Sequence, residues 1–289
     1  VGCDALQVYV GLDAATAKPT AEARRAVPHH LVDVADPRRD FSLADYVRLA
    51  SRAVEEIEGR GRIPIVVGGT GLYLRGLLRG IVVAPGRDET LRSRLRRMAA
   101  RFGPERLHRW LARLDPDTAS RLNPRDTQRI LRGLEIALTG GGVTWGELLR
   151  RQGSWQAGEE RYPSLKFGLD LDRARLGEIL RRRVEGFFAA GLVEEVERLL
   201  AAGVPETANA FKGIGYREVL AAIREGRDPR GVLDEVVRST RRYAKRQRTW
   251  FRKEPGVLWL DASAGPEALA AQIAAVWEAS ARAGRPRES

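Results

Sequence analysis

Residues 63–78 read IPIVVGGTGLYLRGLL. A continuous apolar run bounded by Pro and Gly has the pattern of a buried parallel strand. Helical spacing resumes directly after the Gly-Gly turn. Strand, glycine turn and helix in this order belong to an open α/β sheet, where ligands bind at the carboxyl ends of strands and helix N-termini attract phosphate. Thr70 stands at that helix start, and a threonine there is commonly an N-cap.

Working outward, residues 40–62 (DFSLADYVRLASRAVEEIEGRGR) read as a helix with Ser42 as its cap, and Leu43, Tyr46, Leu49 and Val54 near one face. HHLVDV at 29–34 reads as a short strand. Residues 2–20 (GCDALQVYVGLDAATAKPT) place Asp4 where a strand ends. A carboxylate there can cap the following turn, act as a general base or hold a metal ion. Lys18 reads by default as a surface residue. Strand and helix alternating in this way predict a doubly wound α/β sheet.

From Asp88 to Gln152 the pattern is all-helical and Arg-rich. SLKFGLDL (164–171) returns to strand character, and Asp172 caps a helix over 173–190. Gly191 separates that helix from the next, over 192–203. Helices near 214–225 and 231–252, a strand VLWLDA (257–262) and a helix over 266–282 complete the chain, with 283–289 expected to be disordered. The reading is of an α/β core over 1–87 and 160–289 with a helical insertion over 88–159.

The 289 residues are 43% hydrophobic and 30% charged, with mean hydropathy −0.33. No apolar run approaches the roughly 20 residues a membrane helix needs. Cys3 is the only cysteine, which excludes an intramolecular disulfide and Cys-rich structural zinc, and fits a reducing cytoplasm. His29 and His30 are adjacent and would face opposite sides of a strand, so they make no argument for metal. The formal net charge is +12, carried by 45 Arg and 5 Lys against 38 acidic residues. Codon bias accounts for Arg replacing Lys but not for the excess of positive charge, which favours a polyanionic partner.

That excess is concentrated. Residues 238–253 (RSTRRYAKRQRTWFRK) hold eight cations among 16 residues and no acid. At helical spacing Arg238, Arg242, Lys245, Arg248 and Arg252 form a basic stripe, with Thr240, Tyr243, Gln247 and Trp250 along a second face. Such a stripe fits nucleic acid, through phosphate contacts that release counterions. Residues 123–140 (NPRDTQRILRGLEIALTG) form a second basic helix and 88–103 (DETLRSRLRRMAARFG) a third. In the third, Arg92 lies in the first turn, against the helix dipole, which points to a ligand anion beside it.

Together these stretches resemble the tRNA dimethylallyltransferases, also called tRNA isopentenyltransferases. The resemblance runs almost end to end, through DALQVYVGLDAATAKP, VPHHLVDV, IPIVVGGTGLYLRGLL, LNPRDTQRILRGLEI, GLVEEV, KGIGYREV and TRRYAKRQRTWFRK. It implies a P-loop-NTPase-like parallel sheet flanked by helices, with an all-helical insertion domain. It also implies transfer of a dimethylallyl group from dimethylallyl diphosphate to the exocyclic amine of the adenosine 3′ of the anticodon. By the same resemblance Asp4 is the general base, and Gln7, beside Ala5 and Leu6, helps hold the extruded base. Thr70 lines the reaction channel, Arg183 lies near the diphosphate, and Arg92 touches tRNA. The anticodon-loop surface comprises Gln128, Arg129, Ile130, Leu131 and Arg132; Lys212, Gly213, Ile214, Gly215, Tyr216 and Arg217; and Thr240, Arg241, Arg242, Tyr243, Ala244, Lys245, Arg246 and Gln247. The implied partners are the tRNA anticodon stem-loop and dimethylallyl diphosphate, with Mg2+ as cofactor, no membrane, and a monomeric state.

The chain departs from the family pattern in three places. Ala5 stands where the family has Ser, and Ile179 where it often has Arg. No Gly-x-x-x-x-Gly-Lys-Ser/Thr loop is present in the sequence. The expectation is therefore that Val1 corresponds to an internal residue of a longer ancestor, that Asp4 ends the second strand of the sheet, and that diphosphate binding is weakened. A module that holds anticodon stem-loops without chemistry is the rival reading. A nucleotide kinase is a third, and the basic helices would be superfluous to it.

Overall fold

The computed structural model describes residues 1–81, 84, 86, 88–151 and 160–283. The expected tail falls mostly on residues 284–289, outside that set, as does much of the 152–159 boundary. Tertiary contacts divide the chain into two units, Val1–Leu77 with Tyr162–Ser289, and Leu78–Arg161.

The first unit is mixed α/β. Its strands are β1 (Gly2–Cys3), β2 (Val67–Gly68), β3 (Lys166–Asp170) and β4 (Val257–Asp261). Helix α1 spans Ala21–Ala26, α2 Leu43–Gly59 and α3 begins at Gly71 and ends at Arg79. In the second unit lie α4 (Glu89–Phe102), α5 (Pro104–Leu114), α6 (Pro116–Arg121), α7 (Thr127–Thr139) and α8 (Trp145–Arg151). The first unit resumes with α9 (Arg173–Ala189), α10 (Leu192–Ala201), α11 (Tyr216–Arg224), α12 (Leu233–Phe251) and α13 (Pro266–Ala283).

Among the described residues strand pairing is parallel, β1 with β2 and β3 with β4, in two separate two-stranded sheets. The run at 63–67 is not the buried strand its apolar sequence predicts. Ile63, Ile65 and Val67 are 54%, 69% and 66% exposed. Only Val67 and Gly68 pair, because β1 offers only Gly2 and Cys3. The strand expected at 29–34 does not form either. Leu31 and Asp33 adopt left-handed φ of 62° and 57°. The Asp33 carboxylate takes Lys18 Nζ at 2.5 Å and Arg24 Nη1 at 2.8 Å. Burial opposes ionisation of Asp33, but its hydrogen bonds to Lys18 and Arg24 outweigh that and hold its carboxyl below the usual range. Lys18 is accordingly not a surface residue: its side chain is 5% exposed and also bonds Tyr9 O and Asp13.

The helices follow their sequence signals more closely. Ser42 and Asp45 form a reciprocal capping box on α2. Tyr46 on that helix stacks on Tyr73 of α3, with ring centroids 4.1 Å apart. The main core joins Val8, Tyr9 and Leu12 to Val184, Leu192, Val196, Tyr216, Val219 and Val236. Glu195 is buried within it. Its carboxylate accepts the Tyr216 hydroxyl at 2.6 Å and the N–H groups of Asp13 and Ala14 at 2.9 and 3.2 Å. The second unit has its own core of Leu95, Leu107, Leu111, Ile130 and Leu134.

Helix α12 lies tight against the glycine turn after β2. Gln247 Nε2 donates to Gly69 O at 2.9 Å. A Cβ on Gly71 would stand 2.5 Å from the Trp250 ring. Arg75 covers the same ring at 4.4 Å and pairs with the buried Glu254 at 2.9 Å. Trp250 is thus a packing residue.

Both the buried carboxylate and the glycine turn can be tested by substitution. Glu195→Ala leaves three donors without an acceptor and is expected to lower unfolding free energy by about 3 kcal/mol in urea titration. Gly71→Ala gains helix propensity of about 1 kcal/mol, but overpacking against Trp250 costs about 1–3 kcal/mol and is expected to prevail. Gly186, inside α9, has open space around its Cβ position. Gly186→Ala is therefore expected to raise Tm while Gly71→Ala lowers it, by calorimetry.

Candidate active site and nucleic-acid interface

Asp4 is the first residue after β1, and Thr70 ends the turn after β2, so parallel pairing brings the two together. The Ala5 N–H donates to Thr70 Oγ1 at 3.1 Å, across 65 residues of sequence. Thr70 N–H donates to Cys3 O at 3.1 Å. The Thr70 hydroxyl therefore holds the Asp4 turn, while its carbonyl accepts the Tyr73 and Leu74 N–H groups of α3.

Asp4 divides its two oxygens. Oδ1 accepts the N–H groups of Leu6 and Gln7, at 2.8 and 3.2 Å. Oδ2 takes no hydrogen bond among the described residues. The side chain thus caps a turn with one oxygen and presents the other.

Gln7 spends both amide hydrogens on the carbonyls of Thr16 and Ala17, at 3.0 and 3.1 Å, which leaves Oε1 as its free acceptor among the described residues. Leu6 packs on Gly213, where a Cβ would come within 2.6 Å of Leu6 Cδ1. Gly215 has φ of +93° and abuts Ala15 and Leu192. The two glycines of KGIGYR are therefore required, one for close approach and one for backbone conformation.

Tyr243 on α12 closes the same corner. Burial pushes its phenol up, as does the nearby Asp4 charge, while its hydrogen bonds with Thr70 and Gln247 act the other way. Cys3, also adjacent, is no nucleophile at neutral pH: burial pushes its thiol up to about 11.

Beside this corner α11 and α12 form a groove of about 500 Å³ lined by Arg217, Glu218, Glu235, Arg238, Ser239, Arg242 and Arg246. Ser239 is buried, and its hydroxyl accepts from Arg242 at 3.0 Å and Arg217 at 3.4 Å. Glu218 grips Arg217 with one oxygen and caps α11 at Gly215 N–H, at 2.9 Å, with the other. Neither Ser239 nor Glu218 stands out in the sequence as a site residue; the signals are a Ser three residues before Arg242 and a Glu next to Arg217.

Other expected residues have different surroundings. The basic stripe of α12 is not continuous, since Arg248 and Arg252 turn to Asp170 of β3, at 2.7 and 3.5 Å. Arg241 donates to Gly177 O at 3.4 Å, and the Thr240 hydroxyl to Val236 O at 2.8 Å. Lys245 is exposed and Ala244 partly buried. Tyr216 is fully buried on Glu195, Lys212 is exposed and bonds Asn209, and Ile214 is partly buried. Arg183 is exposed on α9 with its guanidinium 5.6 Å over Phe187, and no contact joins it to Asp4 or Thr70.

In the second unit Gln128 and Arg129 are exposed, while Ile130 and Leu131 are core. Arg132 and Arg92 both address the buried Glu135 carboxylate, at 2.7 and 3.6 Å. The misfit of Arg92 with the helix dipole, read in the sequence as the mark of a ligand anion, is offset within the protein by the Glu135 carboxylate.

Among the described residues no group of three or more His, Cys, Asp or Glu side chains is placed to hold a metal ion. No helix among those residues is long and apolar enough to cross a membrane.

Known proteins share this sequence and fold. Residues 7–254 match the family model described as IPP transferase. The tRNA dimethylallyltransferase of Geobacter metallireducens is 45% identical over 265 residues, spanning 90% of this chain and 83% of that protein. The one from Anaeromyxobacter dehalogenans is 46% identical, spanning 94% and 89%. The crystal structure of the tRNA isopentenylpyrophosphate transferase from Bacillus halodurans superposes with TM-score 0.62 at 35% identity, over 90% of this chain and 80% of that one. A eukaryotic dimethylallyltransferase acting on tRNA has the same fold, with TM-score 0.79 at 24% identity, over 100% and 74%. With a family model matched over most of its length and relatives near 45% identity, the chain belongs to the IPP transferase family.

Proposed function

We propose that this protein transfers a dimethylallyl group from dimethylallyl diphosphate to the exocyclic amine of the adenosine 3′ of a tRNA anticodon. The names of its relatives support this reading. The observation that carries it is Asp4, whose Oδ1 is fixed by two backbone N–H groups while Oδ2 stays open beside Thr70.

In this scheme the amine nitrogen attacks the allylic carbon. The carbon–oxygen bond breaks with its electrons going to diphosphate, and Asp4 Oδ2 accepts the amine proton. Gln7 Oε1 is the acceptor left to receive an N–H of the base, and Thr70 lines the channel. The target base must leave its stack, at a cost of a few kcal/mol that is least in a single-stranded loop. The cationic groove of Arg217, Arg238, Arg242 and Arg246 gives the anticodon loop a phosphate-binding surface next to that corner. Arg183, exposed and without an ion pair among the described residues, is the candidate for the diphosphate. No step is routed through Mg2+.

The test is label transfer from dimethylallyl diphosphate to an anticodon stem-loop. Asp4→Asn keeps the oxygen that caps Leu6 and Gln7 but removes the base. The expected result is a rate reduced by about 10²–10⁴-fold, with stem-loop affinity and melting temperature unchanged. A wild-type chain that binds the stem-loop without transferring label would overturn the proposal in favour of an RNA-holding module.

A further inference from the structure

Lys18 is a buried cation that neither the Asp4–Thr70 corner nor the cationic groove uses. Its side chain is 5% exposed. The ammonium has three hydrogens and meets three acceptors: Tyr9 O at 2.7 Å, Asp13 Oδ1 at 2.8 Å and Asp33 Oδ1 at 2.5 Å. A charge held out of water is costly, and pairing this complete offsets that cost.

The three acceptors lie on three separate passages of chain, and each passage leads to Gln7. Tyr9 follows Gln7 by two residues. The Asp33 N–H donates to Gln7 O at 3.0 Å. The turn that Asp13 opens supplies Thr16 O and Ala17 O, at 3.0 and 3.1 Å from Gln7 Nε2. Both of those groups are carbonyls. Only the NH2 end of the Gln7 amide can face them, so Oε1 is turned the other way.

The backbone around the ammonium needs holding. Among the described residues Ala17, Leu31 and Asp33 are the non-glycine residues with left-handed φ, at 50°, 62° and 57°. L side chains rarely adopt that conformation, and they keep it only where the surroundings enforce it. Lys18 directly follows Ala17 and bonds Asp33. Arg24 braces the same point, with Nη1 on Asp33 Oδ2 at 2.8 Å and Nε on Pro19 O at 3.0 Å.

We propose that Lys18 is a positioning residue for base recognition: it clamps the turn at 13–18 to Asp33, so that the Gln7 amide presents its acceptor end to the substrate. A base with an exocyclic amine is then favoured over one with a carbonyl at the same place, because the carbonyl would set two acceptors face to face. This rests on the proposed transfer to an adenosine amine, and it assigns part of the base selectivity to a residue that touches no substrate.

Two measurements on the full chain test it. The first is hydrogen exchange of the Gln7 side-chain amide by NMR, without RNA. The wild type is expected to protect that amide, and Lys18→Met to speed its exchange by about tenfold or more. The second compares affinity for an anticodon stem-loop carrying adenosine at the acceptor position with affinity for one carrying inosine, without dimethylallyl diphosphate. The wild type is expected to prefer adenosine by about tenfold, the worth of one hydrogen bond. Lys18→Met should bring that ratio close to unity. The double variant Lys18→Met with Asp33→Asn guards against unfolding, since asparagine tolerates the left-handed φ and keeps an oxygen for Arg24; it should behave as the single variant does. A lysine that only supports the fold would weaken both stem-loops equally, so an unchanged ratio in the folded variants overturns the proposal. Undiminished protection of the Gln7 amide also overturns it. A wild type that shows no adenosine preference, while Gln7 protection still falls in the variants, would remove the proposed substrate and leave Lys18 as the residue that sets Gln7.

Discussion

The hydrogen bond from Ala5 N–H to Thr70 Oγ1, together with the Thr70 N–H bond to Cys3 O, joins two ends of chain that are 65 residues apart. The site corner depends on that link. It needs parallel register, since Cys3 must lie beside Gly68 for the next residues of each strand to meet. It needs Gly68 itself, where any Cβ would strike Cys3 backbone at 2.1 Å. It also needs α12 held close, which Gln247 and Trp250 achieve at Gly69 and Gly71. A strand pair of two residues each is too short to be rigid alone. The rigidity comes from the helix packed on the turn.

The arginines fall into physically distinct groups. Some are structural: Arg75 on Glu254, Arg248 on Asp170, Arg132 on Glu135. Each has a carboxylate partner, and those at Glu254 and Glu135 are buried, where an unpaired charge would be costly. Others line the α11–α12 groove, where Arg217 and Arg242 are tethered through Glu218 and Ser239 but still solvent-facing. The last group, Arg94, Arg97 and Arg101 exposed on α4 with Arg106, Arg109 and Arg113 exposed on α5, forms no salt bridge among the described residues, although Arg109 lies in the field of Glu105 one turn before it. Net charge alone does not distinguish these groups; partner geometry does.

The same distinction between local signals and tertiary partners explains how much the sequence reveals. The α2 cap at Ser42 and the α9 cap at Asp172 are local signals, and both are present in the fold. The parallel pairing and the nearness of Asp4 to Thr70 follow from strand-turn-helix order. Burial of the 63–67 run does not, because apolar character states what a side chain prefers and not whether a neighbour covers it. The burial of Lys18 is invisible in sequence because it depends on Asp33 adopting φ of 57°, a tertiary choice. Arg92 suggests a ligand anion from its place in the helix, whereas the charge beside it is Glu135, 43 positions on. Periodicity places Gln247 with the apolar face of its helix, while its partner Gly69 is 178 residues away.

Ala5, where the family pattern has Ser, bears on the proposed chemistry through the same link. The group that reaches Thr70 from position 5 is the backbone N–H, which any residue but proline supplies. Loss of a side-chain hydroxyl therefore leaves the corner intact. Asp4 admits no such tolerance. Its Oδ1 satisfies two backbone donors that would otherwise go unmet, and that same bonding orients Oδ2. Turn cap and proposed base are then not competing roles: the cap fixes the direction in which the free oxygen points. An asparagine could perform the first and a glutamate, one methylene longer, could carry the charge of the second, but only aspartate places both oxygens correctly on this turn.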